Sequence, residues 1–173
     1  MPLVPTMETR PFHARALGFI FGSLLVVLTS SPRLSAAETA LTLGRLGESV
    51  PIVELTLEQL DEMPKIMIAT ENEFADGVVT YRGPLARDVI APLGVDRDAT
   101  LRLTAANDYS IDIPVSDFFD FDVILAMEAD GKRLSRREKG PLWLMYPISD
   151  HPKFRGRPYS DRLIWQVVRI EAP

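Results

Sequence analysis

DGKRLSRREKGPLWLMYP, residues 130–147, carries more structural information than any other stretch of this chain. An apolar run from Val123 to Met127 leads into Asp130-Gly131, a pair that supplies the backbone conformations a tight turn needs. A solvated basic segment follows, with Arg133, Arg136, Arg137 and Lys139. Gly140-Pro141 then opens a second apolar run, Leu142 to Tyr146, which Pro147 closes. This order predicts two strands flanking a charged loop, because proline is excluded from strand interiors and glycine weakens them.

The same punctuation organises the chain upstream. Glu38 to about Thr42 reads as a loose leader. Leu43 to Val53, interrupted by glycines and Pro51, supplies one or two short strands. Thr56-Leu-Glu-Gln59 is a capping box, with Thr at the N-cap and Gln at N3, and it starts a short helix that Pro64 stops. Lys65 to Thr70 and Val78 to Tyr81 have strand length and strand residues. Gly83-Pro84 ends the second of these and places proline in the first turn of a helix, where its missing N–H costs nothing. Leu85, Val89 and Ile90 form the buried stripe of that helix, and Gly94 closes it. Leu101 and Leu103, then Tyr109, Ile111, Ile113 and Val115, alternate with period two around the turn Asn107-Asp108. Ser116 to Phe121 reads as a short helical turn, and Leu163 to Ile170 as the last strand. Short strands with two short helices predict an α+β fold with a mixed, mostly antiparallel sheet.

The order of these segments resembles the sulfite-oxidase-type molybdopterin-binding family. There the segment equivalent to 130–147 is an Asn/Asp-Gly turn, a leucine, and a Gly-Pro-apolar-Arg-apolar run ending in proline. Leu134 and Pro141-Leu142 fall into place, and Trp143 stands where the family usually carries arginine. Upstream, Glu73-Phe74, Asp76-Gly77 and the Gly83 helix start look like the family's opening half. Leu103 to Pro114, with Asn107-Asp108-Tyr109, looks like its middle, and Trp165 and Ile170 match its last strand. The resemblance spans roughly Thr56 to Glu171, and it implies a minimal core of that fold, since catalytic members are longer.

The resemblance also implies a cofactor, and here the chain departs from the family. Its members hold molybdenum through a cysteine thiolate, a soft ligand suited to a polarisable metal. These 173 residues contain no cysteine. No serine or aspartate occupies a replacement position in a diagnostic motif. The expectation is therefore the fold without the metal chemistry and no cofactor, with a molybdopterin oxidoreductase using an unconventional ligand as the alternative.

Residues 1–37 read as a secretory signal. Arg10, His13 and Arg15 precede an uncharged, mostly apolar run from Ala16 to Leu28, and Ser35-Ala36-Ala37 places small residues before Glu38. The run is shorter than the roughly 20 residues that span a bilayer. Four residues separate Arg10 from Arg15, so there is no twin-arginine pair of the kind that exports folded, cofactor-loaded members of this family. The expectation is a single domain, 38–173, with its core at about 43–171, periplasmic or secreted and without stable membrane insertion.

The whole chain carries 19 basic and 24 acidic residues; three arginines and one glutamate lie in residues 1–37, leaving 16 basic against 23 acidic and a net charge of −7. That balance argues against nucleic acid, whose phosphates demand a basic face, and against an anionic membrane surface. Without disulfides, stability must come from packing.

The remaining polar motifs read as structural. Asp117, Asp120 and Asp122 lie in DFFDFD, where phenylalanines fill the gaps and no glycine turns the loop as a calcium site requires. His151 is the only histidine after residue 37, too few for zinc, and Ser149-Asp150-His151 is not a triad because adjacent residues do not converge. The candidate ligand- or partner-binding residues are Trp143, Tyr146, Trp165, Asn107, Tyr109, Arg82 and Lys139. Both tryptophans also suit a core role. If Trp143 lines a depression with cations nearby, an anionic or aromatic small ligand would fit. The functions compatible with the sequence are a non-catalytic exported module binding a small ligand or a periplasmic or inner-membrane protein, a molybdopterin oxidoreductase, and a purely structural interaction protein.

Overall fold

Eleven strands and three short helices make up the computed structural model, which describes residues 38–173. The strands are β1 (Thr39–Arg45), β2 (Val53–Thr56), β3 (Lys65–Thr70), β4 (Val79–Pro84), β5 (Thr100–Ala105), β6 (Ser110–Pro114), β7 (Ile124–Ala126), β8 (Glu128–Ala129), β9 (Lys132–Arg133), β10 (Trp143–Met145) and β11 (Val167–Ala172). The helices are α1 (Leu57–Glu62), α2 (Ala86–Val89) and α3 (Val115–Asp120). They form a five-stranded sheet in the order β2-β1-β11-β5-β6, a four-stranded sheet β3-β4-β8-β9, and a β10-β7 pair. Only β1 and β11 run parallel; the other pairings are antiparallel. The mixed, mostly antiparallel α+β class is as the residue pattern predicts.

Period-two alternation explains the five-stranded sheet. Leu41, Leu43, Leu101, Leu103 and Ile113 are all fully buried, while Arg102 and Asp112 point to solvent and pair across β5 and β6 at 2.8 Å. The inward residues join one apolar cluster with Leu60 of α1, Val89 of α2 and Phe118 of α3. The capping box at α1 is present in both directions: Thr56 Oγ1 accepts from the Gln59 amide, and Gln59 Oε1 accepts from the Thr56 amide. Asp130 and Gly131 both take positive φ, making the tight turn between β8 and β9.

Several boundaries differ from the sequence expectation. Residues 39–42 are no loose leader: they begin β1, which lies between β2 and β11, so the core starts before residue 43. Their parallel partner is at the other end of the chain, with Thr42 opposite Arg169, so no local pattern marks the pairing. Pro84 does not open a helix. It ends β4 opposite Lys65, and the helix that follows is a single turn. The last strand begins at Val167, and Trp165 before it forms an isolated bridge with Trp143.

Two glycines sit where another stretch of backbone passes too close for a side chain. A Cβ on Gly83 would overlap the Leu125 carbonyl, and one on Gly140 would overlap the Leu134 carbonyl. Close backbone approach, rather than unusual φ, is what these positions require. The signal-like residues 1–37 lie outside the described residues. Among the described residues, no helix is long and apolar enough to cross a membrane.

Candidate ligand-binding site

The loop after the basic segment builds one side of the site. Ser135 and Glu138 cap each other, and Gly140 donates to the Ser135 carbonyl, folding residues 135–140 into a compact turn. Lys139 consequently takes a left-handed φ of 67°. Its ammonium stands over three rings, 5.3 Å from Trp143, 5.6 Å from Phe74 and 5.9 Å from Trp165. Ring faces are electron-rich and attract such a cation.

Phe74 reaches this cluster through an Asx turn. Asn72 Oδ1 accepts from the Phe74 amide at 2.9 Å, while Asn72 Nδ2 donates to the Tyr81 hydroxyl at 2.8 Å. Burial of the Tyr81 ring pushes its phenol up, against the opposing effect of the Asn72 bond. Phe74 meets Trp165 edge-on at 5.1 Å, and Tyr81 meets Trp143 edge-on at 5.4 Å. Residues 163–167 lie beside β10, held by Leu144 N–H donating to Ile164 O and Val167 N–H donating to Leu142 O. Ala106 N–H donates to Gln166 O, which draws the 105–109 turn alongside.

These segments enclose a cavity of about 230 Å³. Phe74, Tyr109 and Trp165 supply its aromatic walls, Glu73 and Asp161 its charged groups, and Asn107 an amide. Ala105, Leu163 and Ile164 complete an apolar lining, and no lysine or arginine contributes to it. Ser160 and Asp161 are carried by a 3-10 turn whose third residue, Arg162, pairs with Asp117 of α3. Asp117 also accepts from the Tyr146 hydroxyl at 2.8 Å. Burial pushes the Tyr146 phenol well above its ordinary value, reinforced by the adjacent Asp117 charge. This buried clamp fixes the turn that bears Asp161.

The seven candidate residues therefore divide. Trp165, Asn107 and Tyr109 converge on the cavity; Trp143 and Lys139 form the aromatic cluster next to it. Tyr146 is fully buried in the clamp, where its hydroxyl donates to Asp117, and it does not line the cavity. Arg82 points to the opposite side of β4 from Tyr81 and is paired with Glu128 at 3.1 Å. Trp143 does not line a surface depression. It is 4 % exposed, and its Nε1–H donates to the Leu163 carbonyl at 3.0 Å. Both faces of β10 are buried, so alternation along the strand does not separate a pocket side from a core side. The cation expected beside Trp143 is Lys139, whereas the charged groups lining the cavity itself are acidic. Phe74, Glu73, Ser160 and Asp161 were not singled out as site residues; an aromatic in an otherwise polar loop was the signal available at Phe74.

The fold and this geometry define a small mixed α+β domain with a narrow aromatic cavity. The chain belongs to the family described as the oxidoreductase molybdopterin binding domain, whose sequence model matches residues 32–149. Among solved structures it is similar to the sulfane dehydrogenase SoxCD from Paracoccus pantotrophus, with 20% identity and a TM-score of 0.56. That likeness, which bears on the fold alone, covers 76% of this chain and 37% of the other. No curated protein matches the chain.

The donor set does not fit the family's cofactor. A cysteine thiolate is absent from the whole sequence, and among the described residues no three His, Cys, Asp or Glu side chains cluster as metal ligands. Trp143 presents an indole to the interior.

Proposed function

We propose that this domain is an exported, non-catalytic member of its family that binds a small ligand in the cavity between Phe74, Tyr109 and Trp165. The observation that carries the reading is the exchange of donors: no thiol anywhere, and aromatic and acidic side chains around the available space. A concave apolar site with a few placed polar groups is the usual form of a small-ligand site. Its volume, about 230 Å³, lies below the roughly 300–1,000 Å³ of drug-sized pockets, so the ligand has few heavy atoms. Export is supported by the basic, apolar, small-residue order of residues 1–37. Cleavage after Ala37 would leave β1, which begins at Thr39, intact. The resulting protein would work in the periplasm or outside the cell without cofactor, nucleic acid or membrane insertion. Turnover tests the non-catalytic reading. The full chain purified from its own host should neither oxidise sulfite nor reduce sulfoxides above a buffer control, and turnover that scales with chain concentration would overturn it.

A further inference from the structure

We infer that the ligand of this cavity is an organic cation with an apolar body, an amine or quaternary ammonium. The inference rests on the ligand-binding reading above and adds the sign and shape of what binds. Three aromatic side chains, Phe74, Tyr109 and Trp165, wall a space whose charged groups are the carboxylates of Glu73 and Asp161. Aromatic faces attract cations, most strongly for indole, and an aromatic enclosure recognises alkylated ammonium groups because it repays the loss of their weak hydration. A neutral ligand would gain only apolar contact there, and an anion would meet two carboxylates.

The molecule already contains an instance of the same chemistry. Lys139 does not line the cavity, yet its ammonium sits within 6 Å of Phe74, Trp143 and Trp165, including two of the rings that wall it. Among the described residues it forms no ion pair, so ring faces are its main electrostatic partners. Its single charge opposes a second cation, and the two cavity carboxylates outweigh it. Asp161 pairs with Arg157 at 3.6 Å, whose side chain is largely in solvent and screens it weakly. Glu73 is exposed at the mouth and has no ion-pair partner among the described residues, which leaves it free to face an incoming ammonium. The apolar floor of Ala105, Leu163 and Ile164 takes the hydrocarbon part.

The experiment titrates the full chain with three isosteres and follows tryptophan fluorescence. They are choline, the neutral 3,3-dimethylbutan-1-ol and the anionic 3,3-dimethylbutanoate. Choline should give a saturable change, with the neutral isostere weaker by about tenfold, as expected for a cation over aromatic faces, and the anion weaker still. Glu73→Gln, at an exposed position that leaves the fold unchanged, should weaken choline by about threefold and leave the neutral isostere unaffected. Equal binding of the neutral isostere, or preference for the anion, would overturn the cation assignment while leaving a small-ligand site in place. No saturable response to any of the three would overturn both.

Discussion

At Trp143 a single side chain separates a packing account from a binding one. The indole is enclosed by Tyr81, Phe74 and the Lys139 ammonium, and its N–H is satisfied by a backbone carbonyl. Trp143→Ala should therefore cost about 3–5 kcal/mol, read from denaturant unfolding, because truncation leaves a cavity in packed surroundings. A loss near zero would show that the site tolerates an empty space and is not core. Tyr146 gives a second residue-level expectation with a defined sign. Its folded-state pKa is raised, so its contribution to stability is complete below the ordinary phenol value of 10.0 and is lost as the pH rises above it. Tyr81, also raised, contributes in the same direction. Tyr146→Phe should lower stability by about 1.5–3 kcal/mol at neutral pH, the range for a hydrogen bond to a charged acceptor. The variant should also lose less stability than the parent between neutral pH and pH above 10, measured by urea melts; parallel curves would contradict the assignment. The Tyr146 role is not visible in the residue order, because Asp117, Tyr146 and Arg162 come from separate elements and only folding joins them.

Elements with local signals were legible. The capping box at Thr56, the Asp130-Gly131 turn and the strand Lys65–Thr70 all rest on residues within a few positions of one another, and each occurs where its pattern places it. β1 was misread because its determinants are not local: Leu41 and Leu43 alternate correctly, yet the strand is specified by a parallel partner at the end of the chain. The helix after Gly83 was extended too far toward its N-terminus because Pro84 suits both a first helical turn and the last residue of a strand. Gly83 itself has a sharper consequence. β4 and β7 approach so closely there that a methyl group would strike the backbone carbonyl of Leu125, which cannot rotate away as a side chain could. Gly83→Ala should destabilise by about 3 kcal/mol, the upper part of the range for overpacking, in thermal or urea melts. A change of less than a few tenths would mean that the strands separate without cost.

For the molecule as a whole, fold class followed from the order of short strands and turns, and the family resemblance followed from that same order. The missing thiolate was equally legible, since a residue type that occurs nowhere needs no structure to establish its absence. The cavity was not. Its walls come from Glu73-Phe74, from the Asn107–Tyr109 turn and from residues 160–165, three segments with no common motif. Trp165, Asn107 and Tyr109 could be nominated as aromatic or amide positions suited to binding, while the carboxylates that set the sign of the site could not. Their combination lines the cavity with rings and negative charge.

Molybdenum content measures whether that exchange of donors removed the family's chemistry. The full chain should be purified without denaturation from its own host, its metal determined by elemental analysis, and its denatured supernatant examined for released pterin. With no thiolate to hold a soft metal and no cation in the cavity lining to hold a phosphate, the protein should carry neither stoichiometric molybdenum nor extractable pterin. One molybdenum per chain, accompanied by pterin on denaturation, would contradict the account.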